Sequence, residues 1–317
     1  MRAPNSEFQA RLAAGAPSIF VFLWSTGFVV ARYATTDSDP LAFLGARLVL
    51  AALLLAGIAV VTRAPKLNLQ AVRWSAIVGL GIHAVYLGGV FIAIDRGLPS
   101  GVGALIGGLH PVVTAVAGGI FLHERLARQQ WFGVVLGLLG VTLVVAERLR
   151  DASLVIPTSA VVSASVAMVG MSAGTIIQRK FCAGVPLLWG TVAQYASASG
   201  ALWIAATSTR RASITFSATT LWALVWATLV LSLVAVLTML WLLRHRAAAS
   251  VSSLFFLVPA LSAIEAAILF GEALGGAAIA GFAVALIGVA MVTRVREAPA
   301  TVDGGAQHQS GSAPINE

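Results

Sequence analysis

From Ala13 to Tyr33 the chain carries a single charge, Arg32, and then breaks into a polar turn at Thr35–Pro40. The same alternation of long apolar run and short polar break continues to Thr293, with further runs at 41–62, 73–94, 99–121, 130–146, 155–177, 186–206, 219–242, 248–270 and 275–293. Runs this continuous, most of them near the ~20 residues a helix needs to cross a bilayer, predict membrane helices; barrel strands would be shorter and would alternate in polarity. The pattern therefore predicts an all-α integral membrane protein of ten transmembrane helices. Arg2 and Arg11 ahead of the first run resemble a signal peptide, but neither a small-x-small cleavage site nor soluble sequence follows. That run is expected to remain as the first span. Beyond Arg296 the apolar signal stops, and 296–317 are expected to form a disordered cytoplasmic tail, with 1–12 as a short cytoplasmic N-terminus.

Composition turns this pattern into an exclusion. Of the 317 residues 59% are hydrophobic and 10% charged, against roughly 45–50% and about 25% in soluble domains. Twenty Lys+Arg and twelve Asp+Glu are too few to keep such a surface wet, so most of it faces lipid. The net charge of +8 is scattered in short clusters between apolar runs, which fits an anionic lipid surface and not nucleic acid. The lone Cys182 has no partner for a disulfide or a CxxC site. With the N-terminus in the cytoplasm, thirteen Lys/Arg fall in inner segments and six in outer ones, which favours both termini inside, the Arg210–Arg211 loop dissenting.

Residues 109–144 lie on 257–292 at a constant offset of 148 without a gap. Pro111 meets Pro259, Glu124 meets Glu272, Gly133 meets Gly281 and Gly140 meets Gly288. A duplicated unit of five spans crosses an odd number of times, so its copy must enter from the opposite side. The expectation is two inverted five-helix repeats, 13–147 and 148–295, around a central cavity, the recurrent plan of secondary transporters. Duplication that merely enlarged a bundle is the plainer alternative. Glu124 and Glu272, each at the end of a span, are expected to accept hydrogen bonds from the start of the next helix. The pairs Gly103/Gly107, Gly133/Gly137 and Gly170/Gly174 have the spacing that lets helices pack closely in lipid.

Ionisable residues within spans are costly, so each is a functional candidate. His83 and Tyr86, three apart, are expected on one helical face with Val90, either lining a cavity or, for His83, bonding a neighbouring carbonyl. His110, expected either to contact substrate or to bond a neighbouring helix at the kink, precedes Pro111, whose missing N–H should bend the helix, as should Pro259 in the second half. Trp24 sits mid-span, away from the interfacial belt, and reads as cavity wall or core packing. Met171 is a candidate to cover a substrate ring or fill a gap. Tyr195, the repeat mate of Arg47, and Trp241 complete the substrate-binding set. Arg47 and Glu265 are candidates for coupling or gating; the Glu265 carboxylate either takes up a proton or pairs with Arg47 or another arginine.

The segment Gly108-Leu-His-Pro-Val-Val-Thr-Ala, with Leu122-His-Glu-Arg-Leu and Gly137-Leu-Leu-Gly-Val, echoed by Leu257-Val-Pro-Ala and Phe270-Gly-Glu-Ala-Leu, resembles the paired EamA modules of the drug/metabolite transporter superfamily. Leu23-Trp-Ser-Thr-Gly-Phe-Val-Val-Ala-Arg and Arg47 are similar to that family's first two helices. Over residues 13–295 the chain looks most like its YddG-type aromatic amino-acid exporters. The resemblance implies ten helices, cytoplasmic termini, a bacterial inner-membrane location and a small-molecule cavity between the halves, with no cofactor or metal. The expected substrates are aromatic and other largely apolar amino acids; other metabolites or drugs are the alternative. Scarcity of cations within the spans argues against sugar phosphates. A membrane enzyme is the rival class. It lacks support: there is no GxSxG elbow and no Walker A lysine, His123-Glu124 has no second histidine, and Asp37-Ser-Asp39 reads as a solvated turn. Nothing in the sequence sets the oligomeric state, and a monomer would suffice.

Overall fold

The computed structural model describes residues 4–121, 127–150, 156–209, 212–245, 254–255, 257–272 and 275–293. Glu124, Arg210, Arg211 and the expected tail lie outside them. Among the described residues the apolar runs are helical and no strand occurs. In chain order the helices are α1 Pro4–Ala34, α2 Pro40–Val61, α3 Leu69–Asp95, α4 Ser100–Gly108, α5 His110–Phe121, α6 Arg128–Arg150, α7 Thr158–Phe181, α8 Leu187–Ser208, α9 over 218–245, α10 Leu257–Phe270 and α11 Gly276–Thr293. Five stretches are long and apolar enough to cross a membrane: Gly15–Ala34, α2, α3, α7 and Ala218–Met239 of α9. Shorter apolar helices include α10 and most of α6 and α11. Leu53, Val61, Val169, Ile204 and Ile268 stand outward and exposed, an arrangement suited to hydrocarbon and unsuited to water.

Local chemistry sets the helix ends. Asp39 accepts from the Ala42 N–H at 2.8 Å with Pro40 at the first helical position, and Asn68 and Ser217 cap α3 and α9 in the same way. Gly97 and Gly271, at φ 95° and 64°, follow α3 and α10 in backbone conformations that side-chain-bearing residues avoid. The fourth apolar run is broken at Leu109, between α4 and α5, two residues before Pro111, which has no N–H to continue the ladder.

Two helices carry i→i+5 turns: Leu80–Leu87 inside α3 and Trp226–Ala235 inside α9. Shifted by 148 residues, the first falls within the second. Wide turns of this kind recur at functional sites because they re-aim side chains without ending the helix.

Packing joins helices from the two ends of the chain. α2 lies along α8, α6 along α11, and α10 against α1 and α4. Between α6 and α11 the backbones meet through glycine: a Cβ on Gly140 would strike the Gly281 carbonyl, and one on Gly288 would strike that of Gly133. Gly140 and Gly288 are 148 residues apart, as are Gly133 and Gly281, so that offset maps the contact onto itself. Gly81 of α3 meets Gly170 and Gly174 of α7 equally closely. Phe20, Phe43, Leu44, Leu48, Leu55 and Leu242 fill the core.

Glu272 corrects one expectation. Its two oxygens accept from the Ser100 and Gly101 N–H groups at 2.8 and 3.2 Å, the free donors at the start of α4. Among the described residues it caps α4 and not the helix that follows it, because the packing of α10 on α4 brings those donors to it.

Candidate substrate cavity

A cavity of about 600 Å³ opens between α1, α9 and α10. Phe22, Thr26, Val29 and Tyr33 line it from α1, Trp222 and Trp226 from α9, Glu265 and Leu269 from α10. It sits toward the end of the molecule where the 35–39 and 212–217 loops meet. There the Asp39 N–H donates to the Ser213 carbonyl, the Thr215 N–H to Ser38 Oγ, and the Ser217 hydroxyl to Asp37. The two aspartates of Asp37-Ser-Asp39 thus act as a cap and a loop clasp.

At the positions 148 residues before Gly170 and Gly174, over which α3 and α7 close, α1 carries Phe22 and Thr26. The wall is aromatic: Trp222 and Trp226 stack at 5.5 Å and 24°, and Tyr33 meets Trp222 edge-on at 5.7 Å and Phe270 at 5.1 Å. Trp226 Nε1–H donates to Thr26 Oγ1 at 3.0 Å, while the Thr26 hydroxyl turns back to the Leu23 carbonyl at 2.7 Å. Glu265 Oε1 lies 2.6 Å from Ser25 Oγ, whose oxygen is also 2.8 Å from the Phe22 carbonyl. Glu265 Oε2 is shielded and meets no hydrogen-bond partner among the described residues.

A second polar cluster lies deeper, between α2, α3, α8 and α9. Arg47, 8% exposed, donates through Nε to Ser232 Oγ at 3.0 Å, and Ser232 in turn donates to the Ala227 carbonyl five residues back, a reach the wide turn allows. The Tyr195 hydroxyl approaches the Ser232 carbonyl at 3.5 Å, and its ring meets His83 edge-on at 4.8 Å. His83 Nε2–H donates to Gln194 Oε1 at 3.2 Å.

The sequence candidates are therefore divided. His83, Tyr195 and Arg47 come together around Ser232. Tyr86 does not join them: its hydroxyl lies beside Gly107 and Phe28, so the expectation of one shared face with His83 is corrected. Both residues lie within the wide turns, where the i, i+3 spacing of an α-helix no longer aligns side chains. The carbonyl partner considered for His83 is replaced by a side chain, Gln194. Trp24 packs with Phe20 and Phe255 at 5.2 Å each, and His110 meets Phe255 at 6.4 Å, so these two form an aromatic cluster outside the cavity lining. Met171 is half-buried in α7, and Trp241 packs against the core. Glu265 lines the cavity, but its carboxylate meets Ser25 and not Arg47, which is committed to Ser232. Pro259 packs on Gly108, and nothing is described of the Pro111 side chain. Tyr33, Trp222, Trp226, Gln194 and Ser232 were not singled out by sequence. The offset of 148 could have found two of them, since it sets Tyr33 on Phe181 and Trp74 on Trp222.

Residues 16–146 match the EamA-like transporter family. This stretch is an EamA-family domain. The chain thus carries an EamA-like domain together with several helices long and apolar enough to cross a membrane. It is 26% identical over 269 residues, 81% of this chain and 87% of the relative, to a protein of Salmonella typhimurium named "Probable amino-acid metabolite efflux pump". It is 25% identical to the transporter YvbV of Bacillus subtilis, over 81% of this chain and 83% of that one. The inner membrane transporter YedA of Escherichia coli is 29% identical over 41% of this chain and 42% of its own length. A solved crystal structure aligns at a TM-score of 0.62 and 19% identity, over 89% of this chain and 96% of the other, and shows a shared fold.

Proposed function

We propose that this EamA-type transporter exports aromatic and other largely apolar amino acids, or related small metabolites, across a bacterial inner membrane by alternating access. In this reading the helices make ten crossings as two inverted repeats, 13–147 and 148–295, with both termini in the cytoplasm. The cavity then opens to the outer side and the Ser232 cluster lies at its inner end. Wide aromatic faces bind a flat apolar side chain through stacking and area burial, while hydroxyls and dipoles take the amino-acid backbone.

One pair of contacts carries the reading. Trp74 and Phe181 stack face to face, centroids 3.8 Å apart and planes at 4°. Their repeat mates, Trp222 and Tyr33, stand 5.7 Å apart at 82° beside the cavity. Two equivalent aromatic pairs, one closed flat and one splayed, are what a carrier with inverted halves holds when one side is shut and the other open. The relatives' names support the cargo class and the membrane.

The test is efflux of radiolabelled Phe, Trp and Thr from proteoliposomes, with counterflow against unlabelled substrate. Saturable exchange of Phe and Trp supports the proposal. Export of phosphorylated sugars with none of amino acids would overturn the substrate, and flux without saturation or exchange would overturn the carrier mechanism.

A further inference from the structure

The polar groups of the α1–α9–α10 cavity are arranged for one charge sign. The Trp226 N–H and the Thr26 hydroxyl are spent on Thr26 and on the Leu23 carbonyl. No Lys, Arg or His is among the described lining residues. Besides the neutral hydroxyls of Tyr33 and Thr219, what remains is the Glu265 carboxylate, with one shielded oxygen lacking a partner among the described residues, in the same lining as the rings of Tyr33, Trp222 and Trp226. A carboxylate and aromatic faces both attract an ammonium group, and neither attracts an anion.

The Ser25 hydroxyl adds a second observation. It has one proton and two oxygens within reach, the Phe22 carbonyl at 2.8 Å and Glu265 Oε1 at 2.6 Å. When Ser25 donates to Phe22, the short contact to Glu265 requires the carboxyl to carry a proton. When Glu265 is ionised, Ser25 turns its proton to it. The carboxyl thus keeps a bonded neighbour in both charge states and can exchange a proton for a cation. Among the described residues the groups facing it are few: α1 presents Ser25 and the Tyr33 phenol, α9 presents Thr219, Trp222 and Trp226, and α4 carries no titratable side chain. Glu272, farther along the chain, is occupied by the α4 N–H groups.

We propose that this cavity is an ammonium site: it takes the protonated amine of an apolar or aromatic amine against Glu265, with the carbon skeleton on Tyr33, Trp222 and Trp226, in competition with a proton. Binding releases one proton from the Glu265 carboxyl to water and leaves an ammonium–carboxylate pair, so charge balances. The proposal rests on the transporter reading for the ring-binding half of the ligand. It goes beyond that reading in ranking an amine above the zwitterion, because among the described residues the cavity lining holds no cation for the substrate's carboxylate.

Three indole probes of matched ring and different charge test it: tryptamine, tryptophan and indole-3-acetate, bound to the purified full-length protein in equilibrium dialysis. Tryptamine is expected to bind at least about tenfold more tightly than indole-3-acetate, with tryptophan between them. Its affinity should fall as the pH is lowered and the carboxyl takes up a proton, while the amine stays charged. In Glu265→Gln the three affinities should converge to within about twofold and the pH dependence should vanish. Equal binding of the three probes by the unmodified protein, or a flat pH profile for tryptamine, would overturn the site without any variant needing to fold. An unchanged tryptamine preference in folded Glu265→Gln would overturn it too. Failure of Phe and Trp efflux with the tryptamine preference intact would strike the amino-acid reading and support this site.

Discussion

Glu265 and Glu272 are seven residues apart at one end of α10 and its exit turn, yet their surroundings assign them opposite tasks. Glu272 is held by two backbone N–H groups and is structural. Glu272→Ala should therefore lower the thermal midpoint in detergent, by a cost of about 1–2 kcal/mol, while leaving tryptamine binding unchanged; a loss of binding at constant stability would contradict the capping role. His83 and Tyr86 make the converse point. Because the wide turns send them to different neighbours, His83→Ala and Tyr86→Ala should each lower Phe efflux several-fold while inserting and eluting normally. Their effects on the logarithm of the rate should add to within about 0.5 kcal/mol in the double variant. Unchanged efflux in both would remove them from the substrate path. The sequence marks both as polar in an apolar span, but their separation depends on an i→i+5 geometry that Leu80–Leu87 does not advertise by any proline or charged residue.

The helices themselves were largely legible. The run read as 41–62 folds as Pro40–Val61, and the break before Pro111 falls at Leu109, because apolar length and a missing N–H act locally. Which faces meet is another matter. Gly140 and Gly288 are in contact with backbone of the opposite helix, whereas Gly57 and Gly200 have open space where a Cβ would stand. Gly140→Val should destabilise by about 1–3 kcal/mol through overpacking. Gly57→Ala and Gly200→Ala should be neutral or stabilising by up to about 1 kcal/mol, since alanine loses less entropy in a helix. Thermal unfolding of the three variants in one detergent separates the two classes, and equal shifts would refute the contact.

For the molecule as a whole, the proposed exchange of open and closed sides predicts that the stacked pair must part during transport. With Cys182 changed to Ser, the variant Trp74→Cys/Phe181→Cys should be cross-linked efficiently at rest. Efflux should then stop and return on reduction, and saturating substrate should slow the cross-linking. Efflux that continues in the fully cross-linked protein would exclude a gate at this pair. Reporter fusions at both ends should place the termini in the cytoplasm. The membrane character, the helix limits, the duplicated Pro–Glu–Gly pattern and the candidate Glu265 are readable from the chain alone, because burial in lipid and helix termination are decided within some twenty neighbouring residues. The pairing of Arg47 with Ser232, the capping of Ser100 by Glu272 and the aromatic cavity around Glu265 join residues far apart in sequence. They follow from which helix faces interlock, and close packing settles that only when all the helices are in place.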